Sequence, residues 1–127
     1  MFAPPEIMSM AGALSANASD RLSAIAGNVA NADTPGYRAQ DGAAFADVYG
    51  GGAGLALRQT RAGHLPAAGA EAGGFHERPA AHASPNGNSV SLEDEMMRAA
   101  AVRKDNDLAL TVYKSALNIL RASLGRR

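Results

Sequence analysis

The residues of this chain able to do chemistry are few and poorly placed for it. His64, His76 and His82 are the natural candidates for a general base or a metal ligand. Their spacings of 12 and 6 match no ligand motif, and no carboxylate pair is tied to them by a shared helix face. Glu93, Asp94 and Glu95 invite an acid–base reading, but they stand where a helix begins, and negative charge at a helix start needs no catalytic role. Gly50-Gly51-Gly52 lacks the following Lys-Ser/Thr and helix that a phosphate-cradling loop requires. The chain has no cysteine, which removes disulfide frameworks, thiolate zinc sites and cysteine nucleophiles. No nucleophile is joined to a base and an orienting group, so the expectation is a protein without enzymatic activity, cofactor or metal.

One segment has specific local chemistry, and it concerns shape. Asn28-Val29-Ala30-Asn31-Ala32-Asp33-Thr34-Pro35-Gly36-Tyr37-Arg38 reads as a helix exit followed by a turn. Thr34-Pro35-Gly36-Tyr37 suits a type II turn, because proline presets φ at the second position and glycine accepts positive φ at the third. Asn28, Asn31 and Asp33 are short polar side chains able to bond the backbone groups freed at the break. Tyr37 offers an amphipathic anchor that can dock back onto the helix.

The elements that position this turn follow from the apolar pattern. Residues 1–31 are expected to form an N-terminal amphipathic helix. Pro4 and Pro5 suit its start, and a stripe runs through Ile7, Ala11, Leu14, Ala18, Leu22, Ile25 and Val29, flanked by small residues. Residues 89–127 are expected to form a C-terminal heptad helix about 50 Å long. Ser91 would be its N-cap, and its seam reads Leu92, Met96, Ala99, Arg103, Asn106, Leu110, Tyr113, Leu117, Leu120, Leu124. Arg103 and Asn106 interrupt that seam, as register-setting polar residues or as a local exposed turn. Between them, residues 32–88 read as a turn, a short strand at 55–60 and a Gly/Ala-rich loop. Residues 50–89 contain 9 glycines and 10 alanines, with only Leu55, Leu57, Leu65 and Phe75 large and apolar. Pro85-Asn86-Gly87-Asn88 is a second turn signal, just ahead of the last helix. The fold class expected is mainly α: two long terminal helices pairing as a coiled-coil-like hairpin within one domain, with at most short β-strands in the middle.

Composition narrows the function. The 127 residues carry 12 basic and 12 acidic side chains, with no polybasic cluster, which argues against a nucleic-acid partner. No apolar run is long enough for a transmembrane segment, and with no Lys or Arg before Arg21 no cleaved signal peptide is expected. Of the 46% apolar residues, 29 are alanines, so an isolated chain would bury little area per residue. Long stripes on so thin a core suggest that neighbouring chains complete them.

The Asn28–Arg38 segment, at the end of an amphipathic N-terminal helix, resembles the signature of bacterial flagellar axial proteins of the rod and hook class. Asn86-Gly87-Asn88-Ser89-Val90-Ser91-Leu92-Glu93-Asp94-Glu95-Met96, the Thr60…His64 pair and the short length are similar to the proximal-rod branch, FlgB type. That resemblance implies a structural subunit, exported unfolded by the flagellar type III apparatus and polymerised with itself and other rod proteins, above a base-adaptor protein. The product would be a torque-transmitting helical tube in the basal body, spanning the periplasm. It further implies that Ile7, Leu14, Leu22, Ile25, Val29, Leu92, Met96, Leu110, Tyr113, Leu117, Leu120 and Leu124 pack the assembly. Asn28, Asn31, Asp33, Thr34, Pro35, Gly36 and Tyr37 would form the family turn. The alternatives are another short rod protein of FlgC type and a cytoplasmic helical adaptor or export chaperone.

Overall fold

A computed structural model describes residues 5–51, 74–79 and 84–125. Two long helices dominate: α1 over Glu6–Ala30 and, at the other end of the chain, a helix over Leu92–Ser123. Between them come β1 (Gln40–Gly42), α2 (Phe45–Gly51) and β2 (Phe75–Glu77); the C-terminal helix is therefore α3.

Each long helix starts as its sequence dictates. Pro5, extended at φ −53° and ψ 138°, precedes α1, and its carbonyl accepts from the Met8 and Ser9 amides. Ser91 caps α3 by accepting from the Asp94 amide, and Glu93 and Asp94 lie exposed in the first turn, where the helix dipole favours them. At 1.5 Å per residue the 32-residue α3 spans about 48 Å.

The helices pack antiparallel. Asn28 meets Glu95, Arg21 meets Asp105 and Ser15 meets Asn106, so contacts descend one helix as they climb the other. Ala18, Ile25 and Val102 form the central buried cluster, with Leu22 and Ala99 packed against it. The buried residues of α3, Glu95, Val102, Ala109 and Ala116, repeat every seven residues. Three alanines of α1, Ala11, Ala18 and Ala24, are also buried. Small side chains predominate in the buried rows of both helices and let the backbones approach closely, with Ile25 and Val102 the larger apolar side chains between them.

Within one chain, the seam expected for α3 is only partly covered by α1. The positions that reach α1 are Ala99, in the core cluster, and Asn106, bonded to Ser15; Tyr113 and Leu110 border a recess with Ala11 and Gly12, and Leu120 faces Ile7. Leu92, Met96 and Leu124 are 52, 67 and 84% exposed, and Arg103 is exposed as well. The Leu92–Leu124 seam merges half of the intramolecular stripe with an outer apolar edge, because both obey the same heptad spacing. The stripe of α1 is likewise divided. Leu14 and Leu22 are half-buried and Ile25 is buried, but Ile7 and Val29 are 47 and 41% exposed. At the end of α1 the polar Asn28, not Val29, turns inward.

The middle of the chain holds more structure than expected. In α2, Phe45 and Tyr49 stack one turn apart, with ring centroids 5.2 Å apart. β1 and β2 pair antiparallel in the register Gln40–Glu77, Asp41–His76, Gly42–Phe75. The strand expected at 55–60 lies outside the described residues, as do His64 and His82; His76 is exposed on β2.

Candidate functional site: a clasp at one end of the helical hairpin

The family-like turn is held by two buried asparagines, one from each side of the chain. Asn28 is fully buried in the last turns of α1. Its amide nitrogen donates to the Gln40 carbonyl at 2.7 Å and to Glu95 Oε2 at 3.1 Å. Its Oδ1 accepts from the Gln40 amide at 2.9 Å and from the Tyr37 hydroxyl at 3.3 Å. Asn28 thus presents to β1 the donor and acceptor that a neighbouring strand would present, and every bonding position of its side-chain amide is used. A side chain with both a donor and an acceptor is required here; aspartate has no donor and leucine has neither.

Asn88 works from the opposite side, where the chain approaches α3. It is 2% exposed. Its amide nitrogen points at the carbonyls of Asn31, Ala32 and Thr34, at 3.0, 2.7 and 2.9 Å. All three carbonyls lie in the turn just past the end of α1, so Asn88 holds the helix exit from more than fifty positions away. Its Oδ1 accepts from the Val90 amide at 2.7 Å.

Two turns close against each other around this pair. In the first, the Tyr37 amide donates to the Thr34 carbonyl and Gly36 has φ 72°, as the type II reading requires. In the second, the Gly87 amide donates to the Ser84 carbonyl and the Ser84 amide to the Asn88 carbonyl, both at 2.8 Å, with Gly87 at φ 80°. That is a tight turn followed by a left-handed glycine, a common way to close three residues between two paired strands. The turns are joined by Gly36 N–H to the Asn86 carbonyl at 3.0 Å and by Ser89 N–H to the Tyr37 carbonyl at 3.1 Å; Ser89 Oγ also accepts from the Ala39 amide at 2.8 Å. A Cβ added at Gly87 would lie 3.5 Å from Gly36 Cα, so the glycines sit face to face.

The remaining turn residues play lesser parts. Asn31 donates from its side chain to the Gly27 carbonyl at 2.9 Å and accepts from the Thr34 hydroxyl at 3.3 Å. Asp33 and Pro35 are exposed. Tyr37 is half-buried and docks back on α1 through Asn28.

Beneath the turns lies a fully buried carboxylate. Glu95 accepts from Asn28 and forms an ion pair with Arg78, whose side chain is 15% exposed. Helix-start charge therefore accounts for Glu93 and Asp94, while Glu95 faces inward and neutralises the arm that carries β2. Arg78 also donates its backbone amide to the Ala39 carbonyl at 2.8 Å, extending the β1–β2 pairing. Arg98 pairs with Asp41 at 2.9 Å, tying β1 to α3 from the other side. Sequence reasoning did not assign partners to Glu95, Arg78 or Asn88. The inward phase of Glu95, seven residues before Val102, was the available signal.

Of the residues expected to pack an assembly, the hairpin buries Ile25 and half-buries Leu14, Leu22, Leu117 and Leu120. It leaves Ile7, Val29, Leu92, Met96, Leu110, Tyr113 and Leu124 exposed. At the end far from the clasp, Pro5, Ile7, Val112, Ala116, Ile119 and Leu120 line an open apolar groove of about 330 Å³. No described helix is long and apolar enough to cross a membrane.

No curated protein matches the chain. Residues 9–38 match the family model described as flagella basal body rod protein, a structural family and not an enzyme family. The matched residues run along α1, take in Asn28 and end one residue past the Tyr37 that docks on it. The match over this helix and its exit turn supports a flagellar rod family protein.

Proposed function

We infer that the chain is a structural subunit of the proximal flagellar rod, of FlgB type. It is exported unfolded by the flagellar type III apparatus and polymerised with itself and other rod proteins into a tube that transmits torque. Its site in the cell is the basal body, where the rod spans the periplasm above a base-adaptor protein. The observation that carries this reading is the family match over α1 and its turn.

The surface of the hairpin agrees with it. Met96, Met97 and Ile119 are each about two-thirds exposed, and Leu92 and Leu108 more than half. Met97, Leu108 and Ile119, spaced eleven residues apart, share one face of α3, and Leu92 and Met96 lie on another; large apolar side chains left in water on two faces gain free energy when neighbouring subunits cover them. The clasp sets the direction in which the middle of the chain leaves the paired helices. Rigid packing, not a reactive group, is what such a subunit contributes.

Basal-body isolation tests the reading. The tagged chain should co-purify with basal bodies at the base of the rod. Recovery only in the cytoplasmic fraction would favour a helical adaptor or export chaperone, and a position one tier along the rod would favour the FlgC type. Leu117→Asp and Leu120→Asp should each abolish rod assembly and motility; normal swimming in both would refute the packing claim.

A further inference from the structure

The turn that locks the clasp contains a bond prone to self-modification. Asn86 is followed by Gly87, and both are exposed. A glycine amide nitrogen carries no flanking Cβ, so it can attack the preceding asparagine side chain more freely than any other residue's. We propose that Asn86–Gly87 is a succinimide-forming site, held shut by the folded clasp and opened by unfolding, whose isoaspartate product can no longer close the clasp.

The chemistry needs only water. The Gly87 nitrogen loses its proton and attacks Asn86 Cγ, forming a new C–N bond and a five-membered ring. The side-chain nitrogen leaves as ammonia. Water then opens the ring at one of its two carbonyls, giving aspartate or isoaspartate at position 86. In the isoaspartate the main chain runs through the former side chain and is longer by one carbon.

Three hydrogen bonds oppose the first step in the folded chain. The Gly87 N–H that must be deprotonated is donated to the Ser84 carbonyl at 2.8 Å. Asn86 Oδ1 accepts from the Asn88 amide at 3.0 Å, which fixes the side chain. The Asn86 carbonyl accepts from Gly36 at 3.0 Å, which fixes the backbone on the other side of the reacting atoms. Reaction therefore proceeds through opening of this region, as amide exchange does. The same three bonds make the product damaging. One extra main-chain carbon moves the residue 86 carbonyl away from Gly36, and Asn88 loses its acceptor at position 86. The turn bearing Asn88 then no longer presents its amide to the end of α1. Chains that stay unfolded would accumulate a mark that chains folded promptly escape, whether or not the chain assembles.

The test follows isoaspartate at residue 86 by peptide mapping and isoaspartyl methyltransferase labelling. The full chain is incubated in mildly alkaline buffer with and without denaturing urea. Isoaspartate should form at least about tenfold more slowly without urea. Asn86→Gln, which would need a less favourable six-membered ring, should form none in either condition. The modified chain, refolded, should show faster hydrogen exchange at the Gly36 amide and a lower urea midpoint than the unmodified chain. Equal rates with and without urea, absence of isoaspartate at residue 86 in urea, or unchanged Gly36 exchange after modification would each overturn the proposal.

Discussion

Asn28 and Glu95, separated by 67 positions in the chain, share a hydrogen bond of 3.1 Å, and both side chains are fully buried. The bond joins the last turns of α1 to the first turn of α3 and sets which residues face each other along the hairpin. It also gives Glu95 a neutral donor beside its charged partner, Arg78. A buried carboxylate needs both, because Coulomb attraction alone seldom offsets the loss of hydration.

Removing that carboxylate leaves Arg78 buried without a counter-charge. Glu95→Ala should destabilise the chain by about 3–5 kcal/mol, read as a lower midpoint in urea. The double variant Glu95→Met with Arg78→Met should recover a large part of the loss. If the double variant is no more stable than Glu95→Ala, the ion pair is not what the single change breaks.

Asn28→Ala should cost about 2–4 kcal/mol, since it strands the amide and carbonyl of Gln40 and takes a donor from the buried Glu95 carboxylate. Asn28→Asp should be worse despite its near-identical shape. Its carboxylate would face Glu95 and the Gln40 carbonyl with no proton to offer either. Urea titration of both variants checks the order.

Gly36→Ala places a Cβ on a backbone at φ 72° and should cost about 1–2 kcal/mol. Gly36→Asn should cost less, because asparagine enters the left-handed region more readily. Equal thermal midpoints for all three proteins would show that the turn relaxes to another form.

Core and outer edge should separate cleanly. Val102, fully buried between the helices, should lose about 2 kcal/mol as Val102→Ala. Met96→Glu and Ile119→Asp, both at positions 67% exposed, should leave the isolated chain within about 0.5 kcal/mol of wild type. Each variant should fail to enter basal bodies if its face of α3 meets neighbouring subunits. Incorporation of either at wild-type levels would remove that face from the assembly contacts.

The two long helices were legible because each carries a sustained period and a recognisable start, at Pro5 and at Ser91. Their facing was only partly legible. In the C-terminal helix, Met96, Leu110 and Leu124 lie on the same heptad spacing as the true contact row, and size-based reading preferred them to Val102, Ala109 and Ala116. Close packing reverses that preference, since the smallest residues permit the nearest approach. The turn at Thr34–Tyr37 was readable from proline and glycine alone. What holds it was not: Asn88, Arg78 and Glu95 come from three distant stretches, and no local pattern ties them to Asn28. The strand pair was hidden for a similar reason. Gln40-Asp41-Gly42 has no strand-like composition and is extended because Asn28 bonds both sides of Gln40.

The contacts between the long helices are unequal from end to end. At the Asn28–Glu95 end, prying them apart exposes an ion pair and breaks several hydrogen bonds together. At the Ile7–Leu120 end it exposes little more than aliphatic surface around an already open groove. Local opening of the hairpin should therefore start at the Ile7–Leu120 end, and the Asn28–Glu95 end should part last, because it alone, among the described residues, joins the helices through a buried charge and shared hydrogen bonds.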